Sequence, residues 1–169
     1  LDVLGERFPH IEFESCSSGG GRIDYEVLAR SHRFWASDNN DALERCTIQR
    51  GMSYFFPPEV MGAHIGHHKC HATFRQHSIA FRGLTALFGH MGLELDPLTV
   101  DEKEREGYRR YAALHKQWRE VIHHGTQWRV DMPDATTLAQ GIVSEDKSQG
   151  LFIVSQLAMP DYTLMMPLR

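Results

Sequence analysis

Two polar stretches near the start of the chain carry residue types suited to chemistry on a bound ligand. The first is Cys16-Ser17-Ser18-Gly19-Gly20-Gly21-Arg22-Ile23-Asp24. A thiol and two hydroxyls followed by consecutive glycines make a loop whose backbone can approach a ligand and offer it N–H donors. The second is Arg33-Phe34-Trp35-Ala36-Ser37-Asp38-Asn39-Asn40-Asp41-Ala42, which sets carboxylates directly behind an aromatic segment. Taken alone, the glycine loop fits an ordinary turn, a phosphate cradle or a ligand contact. No Lys-Ser or Lys-Thr follows it, so the nucleotide P-loop is excluded. Of the two acids in the second stretch, Asp41 has Glu44 three residues on, the spacing of a helix cap. That leaves Asp38 free for chemistry.

A third cluster, His64, His67, His68, Cys70, His71 and His77, invites a zinc site. On a helix, His64, His67 or His68, and His71 would share a face, but Gly62 and Gly66 argue against a regular helix there. Cys46 and Cys70 read more readily as small buried side chains than as reactive thiols. No metal and no cofactor is expected.

These residues need elements to position them. Residues 1–8 read as the tail of a helix stopped before Pro9, and residues 11–14 as a short strand running into the glycine loop. Residues 23–34 are ambiguous, although Tyr25, Val27, Leu28 and His32 suit a helix leading to a brief strand at Phe34-Trp35-Ala36. Asp41 opens a helix for which Gly51 is a plausible stop. Residues 52–56 are apolar and aromatic enough for a strand ended by Pro57-Pro58, and residues 61–65 are a further candidate. Apolar residues at 80, 84, 87, 88 and 91 predict a helix over 79–91. Leu93-Glu94-Leu95 reads as a strand closed by Asp96-Pro97. The longest helix is expected over 101–124, its apolar stripe formed by Tyr108, Tyr111, Leu114, Trp118, Val121 and Ile122, with Gly125 ending it. Beyond it, residues 127–131, 138–144, 151–157 and 162–166 have β character. The polar run 144–150 suits a turn between antiparallel strands. Helices and strands alternating before 125, then strands alone, predict parallel β/α units followed by a β appendage.

The bulk properties narrow the function classes. The 169 residues, 41% hydrophobic and 24% charged, suit one sizeable domain or a domain with a small appendage. A net charge of −4 gives no support for a nucleic-acid or anionic-membrane partner. No apolar run approaches the roughly 20 residues of a membrane span. Three cysteines, odd in number and unevenly spaced, favour a reducing cytoplasm over a disulfide framework. The start lacks a signal peptide's features and an initiator methionine, and the end is an apolar run. A piece of a longer protein is therefore expected.

The ordered motifs resemble a known family. They are Cys16-Ser-Ser-Gly-Gly-Gly-Arg22-x-Asp24, Arg33-x-Trp35-x-Ser37-Asp38-x-x-Asp41-Ala42, Ile48-Gln49-x-Gly51, Pro57-Pro58-x-x-Met61-Gly62-Ala63-His64, and Phe88-Gly89 through Glu94-Leu95-Asp96. Together they resemble the α-galactosidases of glycoside hydrolase family 36, over about residues 14–98. The resemblance implies an α/β fold: the C-terminal half of a (β/α)8 TIM barrel, roughly strands five to eight, followed by a partial antiparallel β domain. The division expected is 1–125 for the half barrel and 126–169 for the opening of the β domain. Barrel sites lie at the C-terminal ends of strands.

The resemblance also implies a retaining glycosidase acting on terminal α-linked galactose in oligosaccharides such as melibiose or raffinose. Asp38 matches the family's acid/base carboxylate, and Cys16, Ser17, Ser18 and Gly19 match its sugar-contacting segment. A retaining pair needs two carboxyl groups about 5–5.5 Å apart, one attacking the anomeric carbon and one shuttling the proton. The acid must hold its proton when substrate arrives, which a partly desolvated pocket and a negative neighbour favour. The family's nucleophile sits in a Lys-Trp-Asp motif upstream of the glycine loop, and these residues contain no such motif. The chain by itself is therefore expected to be inactive, and a half barrel with open sheet edges is expected to form a homo-oligomer. Related readings are an α-N-acetylgalactosaminidase or a raffinose-type transglycosylase. Outside this chemistry stand a silent sugar-binding module and a histidine-rich metal-binding module. The chain departs from the family pattern at Asn40, where Thr is usual. It departs again at Cys70-His71 and at Ala72-Thr73-Phe74, where Asn-His and Gln-Thr-Gly are more common.

Overall fold

The computed structural model describes residues 1–159, which divide into two compact units, Leu1–Lys116 and the residues from Gln117 onward. In the first, helix and strand alternate: α1 (Asp2–Arg7), β1 (Glu14–Ser15), α2 (Tyr25–Leu28), β2 (Arg33–Trp35), α3 (Ala42–Met52), a 3-10 turn (Pro58–Val60), β3 (Met61–Gly66), α4 (Ile79–Ala86) and β4 (His90–Glu94). The four strands form one parallel sheet in the order β1-β2-β3-β4, with Glu14 opposite Arg33, Phe34 opposite Met61 and Gly66 opposite Glu94. Helix α5 (Glu102–His124) follows, and the division between the units falls within it.

Side chains alternate across a strand, so one face of this sheet meets the helices and the other carries a polar set. Phe34 and Met61 pack with Phe56 in one core cluster, against which Ile48 and Met52 lie. Ala63 and Ile65 pack with Ala86, Tyr108 and Tyr111 in a second. Ile65 has no exposed surface, which is worth about 1.5–3 kcal/mol for a side chain of its size. The helices begin where local chemistry starts them: Asp24 caps α2, Asp41 caps α3, Ser78 caps α4, and Asp101 accepts from Glu104 N at 2.8 Å. Buried Arg82 on α4 donates to Gly66 O at 2.5 Å, to Tyr108 Oη at 3.0 Å and to Glu104 at 2.5 Å. It pins α4 and the first half of α5 to the C-terminal end of β3. Burial raises the Tyr108 phenol above its ordinary value, with Arg82 opposing.

Two expectations are corrected. Residues 52–56 are the end of α3 and a turn, not a strand: Phe55 N and Phe56 N both bond Met52 O at 3.0 Å, which carries Phe56 into the core. Helix α4 stops at Ala86, so Met91 belongs to β4, where it packs on the second cluster from a strand.

In the second unit β5 (Thr126–Val130), β6 (Thr137–Val143) and β7 (Gly150–Gln156) form an antiparallel sheet in chain order. The turn between β6 and β7 closes with Ser144 N on Gln149 O at 2.9 Å. Asp146 accepts from Ser144 Oγ and from Ser148 N and Oγ, and these bonds hold its carboxyl down to about 2. The strand expected over 162–166 lies outside the described residues.

Candidate active site

Parallel strands deliver the segments that follow them to one edge of a sheet, and here that edge gathers both polar stretches. The glycine loop leaves β1, and Ser37-Asp38 leaves its neighbour β2. The loop closes on itself through Ser17 N to Gly19 O at 3.3 Å and Gly21 N to Ser17 O at 3.2 Å. It lies directly on the backbone of the acid. A Cβ at Gly19 would meet Asp38 N at 2.8 Å and Ser37 Cα at 3.1 Å, and Gly19 has φ +71°. A Cβ at Gly20 would meet Ala36 O at 2.5 Å. Only glycine permits this approach. Cys16 and Ser18 are exposed at the rim, Ser17 is half-buried and Gly19 is buried beneath them.

Gly19→Ala should therefore cost about 2 kcal/mol or more, from the left-handed backbone and the clash with a neighbouring main chain together. Thermal unfolding is the measurement, and a melting temperature within a degree of the wild type would contradict this packing.

Asp38 is exposed, and its Oδ1 accepts a hydrogen bond from Trp35 Nε1 at 3.1 Å. The buried indole is itself held: it stacks on the His64 ring at 4.2 Å between centroids, and the Arg45 guanidinium stands 4.5 Å from its centre. Arg45, on α3, is almost fully buried and spends its donors on Ser37 O (3.1 Å), Gly62 O (2.7 Å) and Gln49 Oε1 (3.2 Å). Burial lowers its guanidinium to about 10, while the charge of Glu94 acts in the other direction. Glu94, at the end of β4, takes His64 Nδ1 and Asn40 Nδ2 on one oxygen, each at 3.1 Å. The hydrogen bond from His64 holds the Glu94 carboxyl below its ordinary value against the effect of burial. Asn40 Oδ1 is buried with no hydrogen-bond partner among the described residues. Thus β2, β3 and β4 each contribute one member of a chain, Trp35, His64 and Glu94, that fixes the group donating to Asp38.

Asp41 does different work. Fully buried, it accepts from Leu43 N at 2.9 Å and Glu44 N at 3.4 Å as the cap of α3, and from Thr73 Oγ1 and His77 Nε2 across the β3–α4 loop. The two acids three residues apart are thus divided as their surroundings require, Asp41 structural and Asp38 open to a ligand.

The histidine cluster is dispersed. His64 pairs with Glu94, His77 with Asp41, and His67 and His68 lie exposed with rings 4.2 Å apart. Among the described residues, no group of three or more His, Cys, Asp or Glu side chains is placed to hold a metal. Nor, among them, is any helix long and apolar enough to cross a membrane. The hydrogen bond from Trp35 to Asp38 and the roles of Arg45, His64 and Glu94 are not legible in the sequence, which offers Trp35 only as apolar surface beside the acid. Three of the four, Trp35, His64 and Glu94, belong to the motifs, and strand alternation from Trp35 through the register to His64 and Glu94 is the signal that joins them.

The family model described as melibiase matches residues 1–125. The chain belongs to the melibiase family. It is 79% identical over 164 residues to an alpha-galactosidase of Escherichia coli, covering 97% of this chain and 23% of that protein. Among solved structures, the galactosidase domain of the alpha-galactosidase–sucrose kinase AgaSK superposes with a TM-score of 0.93 at 36% identity, over 99% of this chain and 24% of that one. A family 36 alpha-galactosidase AgaA variant from Geobacillus stearothermophilus, in complex with raffinose, gives 0.87 at 38% identity over 90% of this chain and 21% of that one. The chain thus spans between about a fifth and a quarter of the length of these relatives. The expected fold class is borne out: β/α units of a (β/α)8 barrel, then an antiparallel β sheet.

Proposed function

We propose that the protein carrying these residues is a retaining α-galactosidase that removes terminal α-linked galactose from oligosaccharides, with Asp38 as its acid/base. The observation that carries this reading is the seating of the glycine loop on the backbone of an exposed Asp38 at the C-terminal edge of a parallel sheet. Cys16, Ser17, Ser18 and Gly19 then line the galactose, and Trp35 Nε1 sets the orientation of the acid. In the first step the Asp38 carboxyl gives its proton to the glycosidic oxygen as the bond to the anomeric carbon breaks and a second carboxylate attacks that carbon. In the second step the Asp38 carboxylate takes a proton from water, whose oxygen displaces the second carboxylate and releases galactose. The second carboxylate comes from a segment outside these 169 residues, and residues 1–125 are one part of the catalytic barrel. The relatives' names and the raffinose held by the AgaA variant support the choice of substrate class.

Proton NMR of the first-formed anomer, on the complete gene product with an α-galactoside, tests the reading. The α-anomer of galactose should appear first and mutarotate afterwards. Early β-anomer, or no cleavage at all, would overturn it.

A further inference from the structure

The loop between β3 and α4 carries an aromatic side chain whose placement packing does not explain. Residues 68–77 form a small ladder: His77 N bonds His68 O at 3.1 Å, Lys69 bridges Gln76, and Cys70 N bonds Arg75 O at 2.9 Å. At its tip Phe74 N bonds Cys70 O at 2.9 Å, and this tight turn puts Phe74 at φ +60°. A bulky residue in the left-handed region is a genuine outlier that costs about 1–3 kcal/mol. Among the described residues burial recovers little, because Phe74 is 69% exposed, with the Lys69 ammonium 5.6 Å from its ring centre.

The tip is nevertheless rigidly held. Thr73 on one side and Arg75 on the other both reach Asp41 at the start of α3, and Arg75 also pairs with Glu44. Asp41 is three residues from Asp38, and the loop leaves β3 on the edge where Asp38 leaves β2. An exposed phenyl ring has therefore been fixed, against its backbone preference, on a loop that leaves the same edge of the sheet as Asp38.

We propose that Phe74 is the platform of the leaving-group subsite: its face stacks on the apolar face of the pyranose on the far side of the scissile bond, with Lys69 positioned to donate to a hydroxyl of that sugar. This rests on the α-galactosidase reading above. A galactose contact is not implied, since Cys16–Gly19 are already assigned to that ring.

Melibiose and α-galactosyl fluoride separate the two sugars, because fluoride is too small a leaving group to reach a platform. In the complete gene product, Phe74→Ala and Phe74→Gly should lower the ratio of kcat/KM for melibiose to that for the fluoride by about 3- to 10-fold, the range of one aromatic contact. Phe74→Trp should restore it. Phe74→Gly should also melt at a higher temperature than the wild type, since glycine relieves the positive φ. An unchanged ratio in the alanine and glycine variants would overturn the platform, and so would a parallel fall on both substrates, which is the result expected if the ring packs against another segment or a second copy. Failure of the wild type on both substrates would instead sink the α-galactosidase reading itself.

Discussion

Asp38→Ala in the complete gene product should lower kcat/KM for melibiose by about 10²–10⁴-fold, the usual contribution of a positioned general acid–base. The loss should depend on the leaving group. The glucose unit of melibiose leaves through a hydroxyl oxygen that needs the proton, whereas fluoride leaves α-galactosyl fluoride with little assistance, so the first step on the fluoride should survive far better. The second step loses its base for both substrates, and an anion that needs no deprotonation can replace water there. Azide should therefore accelerate turnover of the fluoride by the variant, and the product should be α-galactosyl azide, because attack on the covalent intermediate repeats the inversion of the first step. The exposed position of Asp38 makes this variant a clean one: its side chain accepts from Trp35 Nε1, and no core packing is removed. A loss equal on both substrates, with no azide response, would remove Asp38 from the proton-transfer role.

Much of this arrangement is legible in the sequence. Helix α5 was legible because a 23-residue amphipathic stripe is long enough for its period to be unmistakable, and both termini carry the expected signals in Asp101 and Gly125. Asp38 and Asp41 were separable because capping is local chemistry, decided within three residues. Strands β1 and β2 are two and three residues long, too short for any period, so the motifs and not the alternation located them. The run 52–56 misled because apolar and aromatic composition cannot tell a strand from a helix end that tucks a ring inward. The support behind Asp38 was illegible for a different reason. Its bonds join residues 30 and 54 positions apart, His64 to Glu94 and Asn40 to Glu94, and such pairs exist only once the register of three strands is set.

Asp41→Ala should be the most damaging single change for folding, at about 3–5 kcal/mol, the cost of breaking a buried, fully partnered charge. It removes the acceptor for two helix N–H groups and strands Thr73, His77 and Arg75 together. The same bonds fix the pH dependence. Burial raises the Asp41 carboxyl, but the hydrogen bonds from Thr73, Leu43, His77 and Glu44 outweigh it, and the group ends below its ordinary value near 3.8. A depressed carboxyl contributes its full stability above the unfolded value and loses it as pH falls through the folded one. Wild-type stability should thus fall through the range below about pH 4, and Asp41→Asn, which keeps an oxygen for the cap but cannot ionise, should be less stable at neutral pH and flatter in that acid range. Chemical denaturation of the complete gene product as a function of pH measures both. Equal acid slopes for the two proteins would show that Asp41 is not ionised in the fold. Asp41 also anchors both flanks of Phe74, so Asp41→Asn assayed below its melting temperature should lower the melibiose-to-fluoride ratio in the same direction as Phe74→Ala. The aspartate that caps a helix is then also what holds the leaving-group platform in place.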